Sequence, residues 1–266
     1  MIPRPEVTRI SVYPIKSLPG LLAIRSEVSV ERSLRFDRTY RLVREDTAKY
    51  LSRKREVKLH VVEFYQPGGP IKWSEWTPQC SARLGYSIES TRRIGDLYLP
   101  THVENFERDL SELLGYKVRL EQGYFPDDSV AHGPTLISQA TLEGIGGWFG
   151  ISEMEVHNRL RMNIVLGGEG EPFWEDRLVG KKIRFGKVVL QVTTACRRCV
   201  VPTRNSRSGV AIPEFIKRFI EKRKEHLVEG GDPAIYGGNF YRAGLNTIVL
   251  EDDGRIEAEA RFEVLE

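Results

Sequence analysis

Hydrophobic and polar positions alternate along the first part of the chain. Thr8, Ile10 and Val12 alternate with Arg9 and Ser11, and Leu22, Ile24, Val28 and Val30 alternate with Ala23, Arg25, Glu27 and Ser29. A period of two puts one set of side chains on each face of an extended chain, so these segments predict half-buried strands. Apolar runs over residues 40–43 and 57–65 predict two more, the second closed by Gln66-Pro67-Gly68-Gly69-Pro70. The period then lengthens: Phe106, Leu110, Leu113 and Leu114 share one helical face over residues 104–114, with Gly115 placed to end the helix. Ser138 is a natural N-cap for a second helix that buries Leu142, Ile145, Trp148 and Phe149.

Strands are expected again over residues 161–166 and 188–193. After Gly209 a third helix carries Ile212, Phe215, Ile216, Phe219, Ile220 and Leu227 on one stripe and Lys217, Arg218, Lys222, Arg223 and Lys224 on the other. Asp252-Asp253-Gly254 predicts a hairpin joining strands over 246–250 and 256–264. Many short strands with few helices make the chain mainly β with α, an α+β protein built on antiparallel sheets or small barrels.

Composition narrows the function classes. The 266 residues hold 40 Lys plus Arg against 37 Asp plus Glu, a net charge of +3. That is ordinary globular composition, and it argues against a disordered, collagenous or coiled-coil chain. The small net charge does not favour nucleic acid as a partner. No run of about 18 apolar residues predicts a membrane span, and the start, Met1-Ile2-Pro3-Arg4-Pro5-Glu6, lacks a signal-peptide core. The expected location is therefore cytoplasmic. Only three cysteines occur, Cys80, Cys196 and Cys199, a number suited to a reducing compartment.

Two of the three stand in Cys196-Arg197-Arg198-Cys199. A structural zinc wants about four ligands, and no second Cys/His pair stands at a matching spacing. A redox dithiol wants its first Cys at a helix N-terminus, whereas this pair follows a strand. A single reactive or metal-ligating thiolate beside guanidinium groups is a third reading. A buried structural Cys flanked by surface arginines is the fourth, and the motif alone leaves all of them open. Lys16 and Ser17 follow the first strand in Tyr13-Pro14-Ile15-Lys16-Ser17, where they could take a phosphate or sit on a solvated turn. Asp37 and Arg38 could form a surface ion pair. Alternation over 159–163 would place Arg159, Arg161 and Asn163 on one face at a strand entrance.

Taken in order, these segments resemble a known family. Tyr13-Pro14-Ile15-Lys16-Ser17, Leu34-Arg35-Phe36-Asp37-Arg38, Gly133-Pro134-Thr135-Leu136-Ile137-Ser138, Arg159-Leu160-Arg161-Met162-Asn163, Phe173-Trp174-Glu175-Asp176 and Ala195-Cys196-Arg197-Arg198-Cys199 follow the order seen in MOSC-domain proteins (molybdenum cofactor sulfurase C-terminal domain) that carry an N-terminal β-barrel. The branch they are most similar to contains the amidoxime-reducing components and their bacterial relatives. The resemblance implies an N-terminal MOSC-type barrel domain over residues 1–124 and a MOSC barrel with peripheral helices over 125–266. It also implies the molybdenum cofactor, a molybdenum–molybdopterin, with Cys199 as the metal's protein thiolate and Cys196 in support. Lys16, Ser17, Arg38, Gly133, Arg161, Asn163, Arg197 and Arg198 fall on cofactor-contacting positions. Val130-Ala131-His132 stands where the family often has an Asp-containing stretch, so His132 is the candidate in its place. Arg204-Asn205-Ser206-Arg207 likewise replaces an Asp-Pro segment.

The activity implied is a molybdenum-dependent reductase of small N-hydroxylated substrates, fed by a separate electron-donor protein that an outward basic stretch, residues 197–224, could dock. The alternative is a sulfur carrier or cofactor carrier acting through Cys199. The length leaves no room for the pyridoxal phosphate domain of full sulfurases.

Overall fold

Leu136, Ile164 and Leu166 turn to one side of their strands and Ile137 and Val165 to the other, and both sides are buried. This centre of the fold is a sheet covered on both faces. The computed structural model describes residues 6–29, 33–65, 71–72, 82–89, 93–99, 103–168, 170–227, 233–251 and 254–265.

The strands are β1 (Val7–Val12), β2 (Leu21–Glu27), β3 (Tyr40–Arg44), β4 (Val62–Tyr65), β5 (Ile71–Lys72), β6 (Ala82–Ile88), β7 (Arg93–Leu99), β8 (Val118–Gln122), β9 (Leu136–Ser138), β10 (Ile164–Leu166), β11 (Lys182–Phe185), β12 (Val188–Arg197), β13 (Arg242–Glu251), β14 (Arg255–Glu257) and β15 (Glu263–Leu265). The helices are α1 (Glu104–Leu114), α2 (Gln139–Phe149), α3 (Glu153–Leu160) and α4 (Phe215–Glu225). The main sheet runs β14-β2-β1-β10-β9-β13-β12-β11-β15, with β5 added beside β2. Its two edge strands, β14 and β15, are separated in sequence only by residues 258–262. Glu259 N–H donates to Val7 O at 2.6 Å and Val7 N–H to Ala260 O at 2.9 Å. The last segment thus spans the curled sheet from one edge to the other, and the sheet is a half-barrel.

Inside the curl lies one core, with Val7, Ile10, Leu178, Ile183, Phe185, Leu190, Leu245 and Ile256. A second core is drawn from residues 15–118 and joins β3, β4, β6, α1 and β8. A third sits where α2, α3 and α4 cover the outer face. The segment expected as the N-terminal unit, 1–124, therefore contributes β1, β2 and β5 to the main sheet as well as building its own core. Among the described residues, no helix is long and apolar enough to cross a membrane.

Local signals behave as their chemistry requires. In α1, Phe106, Leu110 and Leu114 bury one face, and Gly115 ends the helix at φ 80°, a left-handed conformation that suits glycine. Ser138 caps α2, its Oγ accepting from Thr141 N–H at 3.0 Å. The helix α3 escaped the apolar pattern, because Val156 and Leu160 are its chief buried apolar residues. Its cap was legible: Ser152-Glu153-Met154-Glu155 has the capping-box spacing, and Ser152 Oγ accepts from Glu155 N–H at 3.2 Å.

Five expectations change. In β2 the buried face is Leu21 and Ala23, while Leu22 and Ile24, expected inward, are exposed. The first half of the run at 57–65 is a 3-10 turn, Val57–Val61, in which His60 Nδ1 bonds Val57 O at 2.9 Å and captures the carbonyl a strand would have used. Residues 159–163 are not alternating strand: Arg159 ends α3, Arg161 caps it at φ 59°, and Asn163 leads into β10. The strands expected to pair across residues 252–254 have other partners: β13 pairs with β12 and, at Leu245, with β9, and β14 pairs with β2. Residues 252 and 253 and Cys80 lie outside the described residues. In α4 the buried stripe is Phe215, Phe219 and Arg223, while Ile216 and Leu227 are exposed. Arg223 faces inward onto Asp176, and the outward face keeps Lys217, Arg218, Lys222 and Lys224, with Lys217 and Lys222 paired to Glu214 and Glu225.

The buried His157 gives the fold an acid sensitivity. Burial, then Arg9, push its pKa down to about 4, so the folded state holds the ring neutral. The unfolded chain takes up that proton below its ordinary value near 6.5, and stability falls as pH drops from there toward 4. The expected loss is roughly 3 kcal/mol from this one group. Urea unfolding at pH 7 and pH 4 measures it, and His157→Gln should flatten the slope by that amount.

Candidate functional site

One cleft of about 490 Å³ collects residues far apart in sequence. It is lined by Lys16 and Ser17 from the turn after β1, by Arg38 before β3, by Arg159 and Arg161 at the end of α3, and by Cys196, Arg197, Arg198 and Cys199 at the end of β12. Tyr50, Ser52, Arg53 and Lys54 form a further wall, and Arg242 and Asn246 enter from β13. Nine basic side chains line the cleft against two carboxylates, Asp127 and Asp128. A concave surface with that imbalance concentrates anions.

The backbone at these residues is unusual. Ser17, Arg38 and Arg161 all have positive φ, at 71°, 51° and 59°. A left-handed non-glycine residue costs about 1–2 kcal/mol. Such strain persists where surrounding contacts fix it, and it gathers at functional sites. Here it aims three polar side chains into one space. Tyr13, almost fully buried, supports two of them, its ring packing 4.4 Å from the Arg161 guanidinium and 5.4 Å from that of Arg38. Its hydroxyl donates to Met162 O at 3.1 Å, and burial pushes its pKa up to about 12.

Arg38 is 5% exposed and ion-paired with both Asp37 and Asp127. Against the cost of burial, Asp127 and Asp37 keep the guanidinium firmly charged. In return, against desolvation, Arg38, Arg161 and Lys16 hold the Asp127 carboxyl well below the usual carboxylate range. Lys16 Nζ lies 3.7 Å from Asp127 Oδ1 and donates to Pro126 O at 2.7 Å. Asp127 thus occupies the position of an anion between Lys16 and Arg38.

Asn163 is fully buried and does not line the cleft. Its Nδ2 donates to Ser11 O at 3.0 Å and to Asp37 Oδ1 at 3.1 Å, and its Oδ1 accepts from Thr135 Oγ1 at 3.0 Å and Arg38 Nη1 at 3.4 Å. It holds Arg38 and Thr135 in place from behind. His132 and Gly133 line a smaller hollow next door, which shares Arg38, Asp127, Asp128, Thr135 and Asn246 with the cleft. Gly133 permits close packing: a Cβ there would stand 2.5 Å from Thr247 Oγ1.

The two thiols differ. Cys199 is exposed at the cleft, with Val201 N–H donating to its Sγ at 3.5 Å. Cys196 is buried in the helix-side core, and its Sγ donates to Asn246 Oδ1 at 2.8 Å. Burial pushes the Cys196 thiol up to about 12, with Arg198 pulling the other way. Iodoacetamide at pH 8 should therefore alkylate Cys199 and spare Cys196 until the chain is unfolded. Trypsin cuts after Arg197 and Arg198, so mass spectrometry reads the two thiols on separate peptides; native labelling of Cys196 would contradict its burial. Beside them Arg198 donates to Leu160 O, and its buried Nε has no partner among the described residues. Among the described residues, no group of three or more His, Cys, Asp and Glu side chains is arranged to hold a metal ion.

The sequence motifs did not single out Tyr13, Arg53, Asp127, Asn246 or Arg242 as site residues. Asp127 had a legible signal, as a carboxylate in a polar loop between two helices. Asn246 and Arg53 had none, since β13 and the 50–54 segment meet the cleft only through the sheet order.

Fold and site together define an α+β protein with a thiol-bearing, strongly basic cleft at the rim of a half-barrel. Residues 135–230 match the family model of the MOSC domain, and this segment is thereby associated with molybdenum-cofactor binding in general. Among solved structures it is similar to YiiM from Escherichia coli, with 14% identity and a TM-score of 0.32 over 50% of this chain and 54% of that one. A second crystal structure, of a hypothetical protein, has 15% identity and a TM-score of 0.32 over 55% of each chain. The chain spans about half the length of either. No curated protein matches it.

Proposed function

We propose that this cleft binds a molybdenum–molybdopterin cofactor and that the protein is a cytoplasmic reductase of small N-hydroxylated compounds. The observation that carries the reading is the exposed Cys199 thiol in one cleft with Lys16, Ser17, Arg38, Arg161, Arg197 and Arg198. The donor set suits such a group. A soft thiolate is an appropriate ligand for the metal, guanidinium and ammonium groups suit a phosphate and a carbonyl-rich pterin, and the Nε of Arg198, unpartnered among the described residues, is a donor available to such a group.

When bound, the cofactor supplies two-electron oxygen-atom chemistry, so that R–NH–OH plus two electrons and two protons gives R–NH₂ and water. The chain's own part is to bind and orient. Cys199 holds the metal, Lys16, Ser17 and Arg38 hold the charged end of the pterin, and Arg161, Arg197 and Arg198 hold its polar edge. Gly133 and Asn163 shape and support that surface. His132, in the adjoining hollow, is the candidate proton donor. Electrons come from a separate acidic redox protein, docked near Arg197 and the outward face of α4.

Expression in a host that makes the cofactor tests this. The purified protein should carry near-stoichiometric molybdenum and pterin and reduce benzamidoxime with a viologen donor. A protein that never retains molybdenum but carries a labile persulfide on Cys199 would replace the reading with that of a sulfur carrier.

A further inference from the structure

Two of the buried guanidinium groups lining the cleft are matched by a carboxylate, Arg38 by Asp37 and Asp127 and Arg159 by Glu155. Arg161 and Arg198 bond main-chain oxygens instead, and both are already given to the cofactor. Arg53 is left over. It is 3% exposed and lines the cleft, its Nε and Nη2 donate to Leu59 O at 3.2 Å and Val62 O at 3.3 Å, and among the described residues no carboxylate stands within ion-pair distance of it. Its surroundings add positive charge: Arg204 Nη1 donates to the Arg53 carbonyl at 3.2 Å. Burial, then Arg161, push the Arg53 guanidinium down from its ordinary range, against the weaker pull of the more distant Glu63 and Glu155, and burial, then Arg53, hold His60 neutral with a pKa of about 4. A buried cation is costly without a counter-charge, and this one opens onto a ligand-sized space.

We propose that Arg53, with Ser52 and Lys54 on the same wall, forms a second anion subsite that takes a carboxylate or phosphate group of the small molecule reacting in the cleft. The 50–54 segment holds none of the residues assigned to the cofactor, and the Lys16–Arg38 pair with its own stand-in carboxylate, Asp127, is a separate set. A guanidinium fixed by two carbonyls is already oriented, so its free edge can meet a planar anion at little further entropic cost. The subsite stands on the cleft alone. Assigning its occupant to the substrate rests on the reductase reading, and narrows that reading to N-hydroxylated compounds with an anionic substituent.

Crystals of the full chain without cofactor, soaked in sodium selenate, test the position through the selenium anomalous signal. Equilibrium dialysis with inorganic phosphate at low salt tests it in solution. Selenate should lie against the Arg53 guanidinium, Arg53→Met should lose that peak, and phosphate binding should weaken roughly tenfold. Arg53→Lys, which keeps the charge and guards against a folding defect, should retain part of the affinity. From a cofactor-making host, Arg53→Met should keep wild-type pterin content whereas Lys16→Met should not.

The proposal is overturned if selenate gathers only at Lys16 and Arg38. It is equally overturned if phosphate affinity is unchanged in Arg53→Met, which would make the peak binding at crystal concentration only. Pterin loss from folded Arg53→Lys and Arg53→Met would give the anion to the cofactor and end the substrate assignment. A wild-type chain that takes up no pterin defeats the molybdenum reading, while the selenate and dialysis results still decide the subsite.

Discussion

Cys199→Ala purifies without molybdenum, and Cys196→Ala keeps most of it: this is the expected result if Cys199 is the metal's protein ligand. Cys199 is exposed at the cleft and accessible to a metal there. The Cys196 thiol is buried, pushed up to about 12, and already engaged with Asn246 Oδ1. Residues that only support a ligand cost roughly 10–100-fold in metal affinity when replaced, so loss of the ligand itself should exceed that range and abolish amidoxime reduction. Cys196→Ala should instead cost about 1–2 kcal/mol of stability, because it leaves Asn246 Oδ1 without its donor. Metal analysis, pterin fluorescence and urea unfolding of both variants separate the roles. If Cys196→Ala loses the metal and Cys199→Ala keeps it, the ligand assignment is reversed.

Arg223→Met should be among the most destabilising single changes in the protein. The Arg223 guanidinium is fully buried, paired with Asp176, donating to Tyr236 Oη at 2.7 Å and His226 O at 2.7 Å, and packed 3.7 Å from the Phe173 ring. Glu175, next to Asp176, is also buried. Removing the cation leaves a desolvated carboxylate beside another acidic group, at an expected cost of about 3–5 kcal/mol. That is a large share of a typical domain's total stability.

A pH signature accompanies the loss. Burial already raises the Asp176 pKa, with Arg223 opposing it, and without Arg223 it rises further. A carboxyl whose folded pKa lies above its unfolded value near 3.9 stabilises the fold below that value and loses the contribution as pH rises. The deficit of Arg223→Met relative to wild type should therefore shrink from pH 7 toward pH 4, on top of the His157 slope common to both. Asp176→Leu combined with Arg223→Met should recover much of the loss, since an apolar pair replaces a buried ion pair at little net cost. Urea midpoints for the two singles and the double measure the coupling. A cost below 1 kcal/mol for Arg223→Met would show that the network is not what holds α4 down.

The Arg223 case also marks where a helical pattern misleads. From sequence, α4 reads as an apolar stripe opposed by a basic face, and Arg223 counts with the lysines. The positions that pack are Phe215, Phe219 and Arg223, at spacings of four. An arginine can occupy the third because Asp176 and Tyr236 arrive there from distant segments. Nothing local to α4 carries that information. The expected pairing of β13 with β14 misleads in the same way: β14 pairs with β2, a strand far away in sequence, and nothing local to residues 246–264 carries that information.

Several features were legible because their cause is local. Alternation over 8–12 and 22–30 marked β1 and β2 as strands, though the face it set inward in β2 turned out exposed; the i, i+4, i+8 spacing of Phe106, Leu110 and Leu114 with Gly115 marked α1, and Ser138 marked the start of α2. The α+β class followed from the same patterns, and the ordered motifs carried the MOSC resemblance. Residue type and motif order offered Lys16, Ser17, Arg38, Gly133, Arg161, Asn163, Arg197, Arg198, Cys199 and His132 as candidates, and all but Gly133, Asn163 and His132 line the one cleft. What the tertiary structure alone decided is how they meet. The order β2-β1-β10-β9-β13-β12 brings the ends of β1 and β12 and the α3 cap around one cleft. It also sets Asn163 behind Arg38, Asp127 between Lys16 and Arg38, and Arg53 on the facing wall. Residue type and spacing determine which side chains can do the chemistry; sheet order and burial determine which charges are neutralised, and so which remain for a ligand.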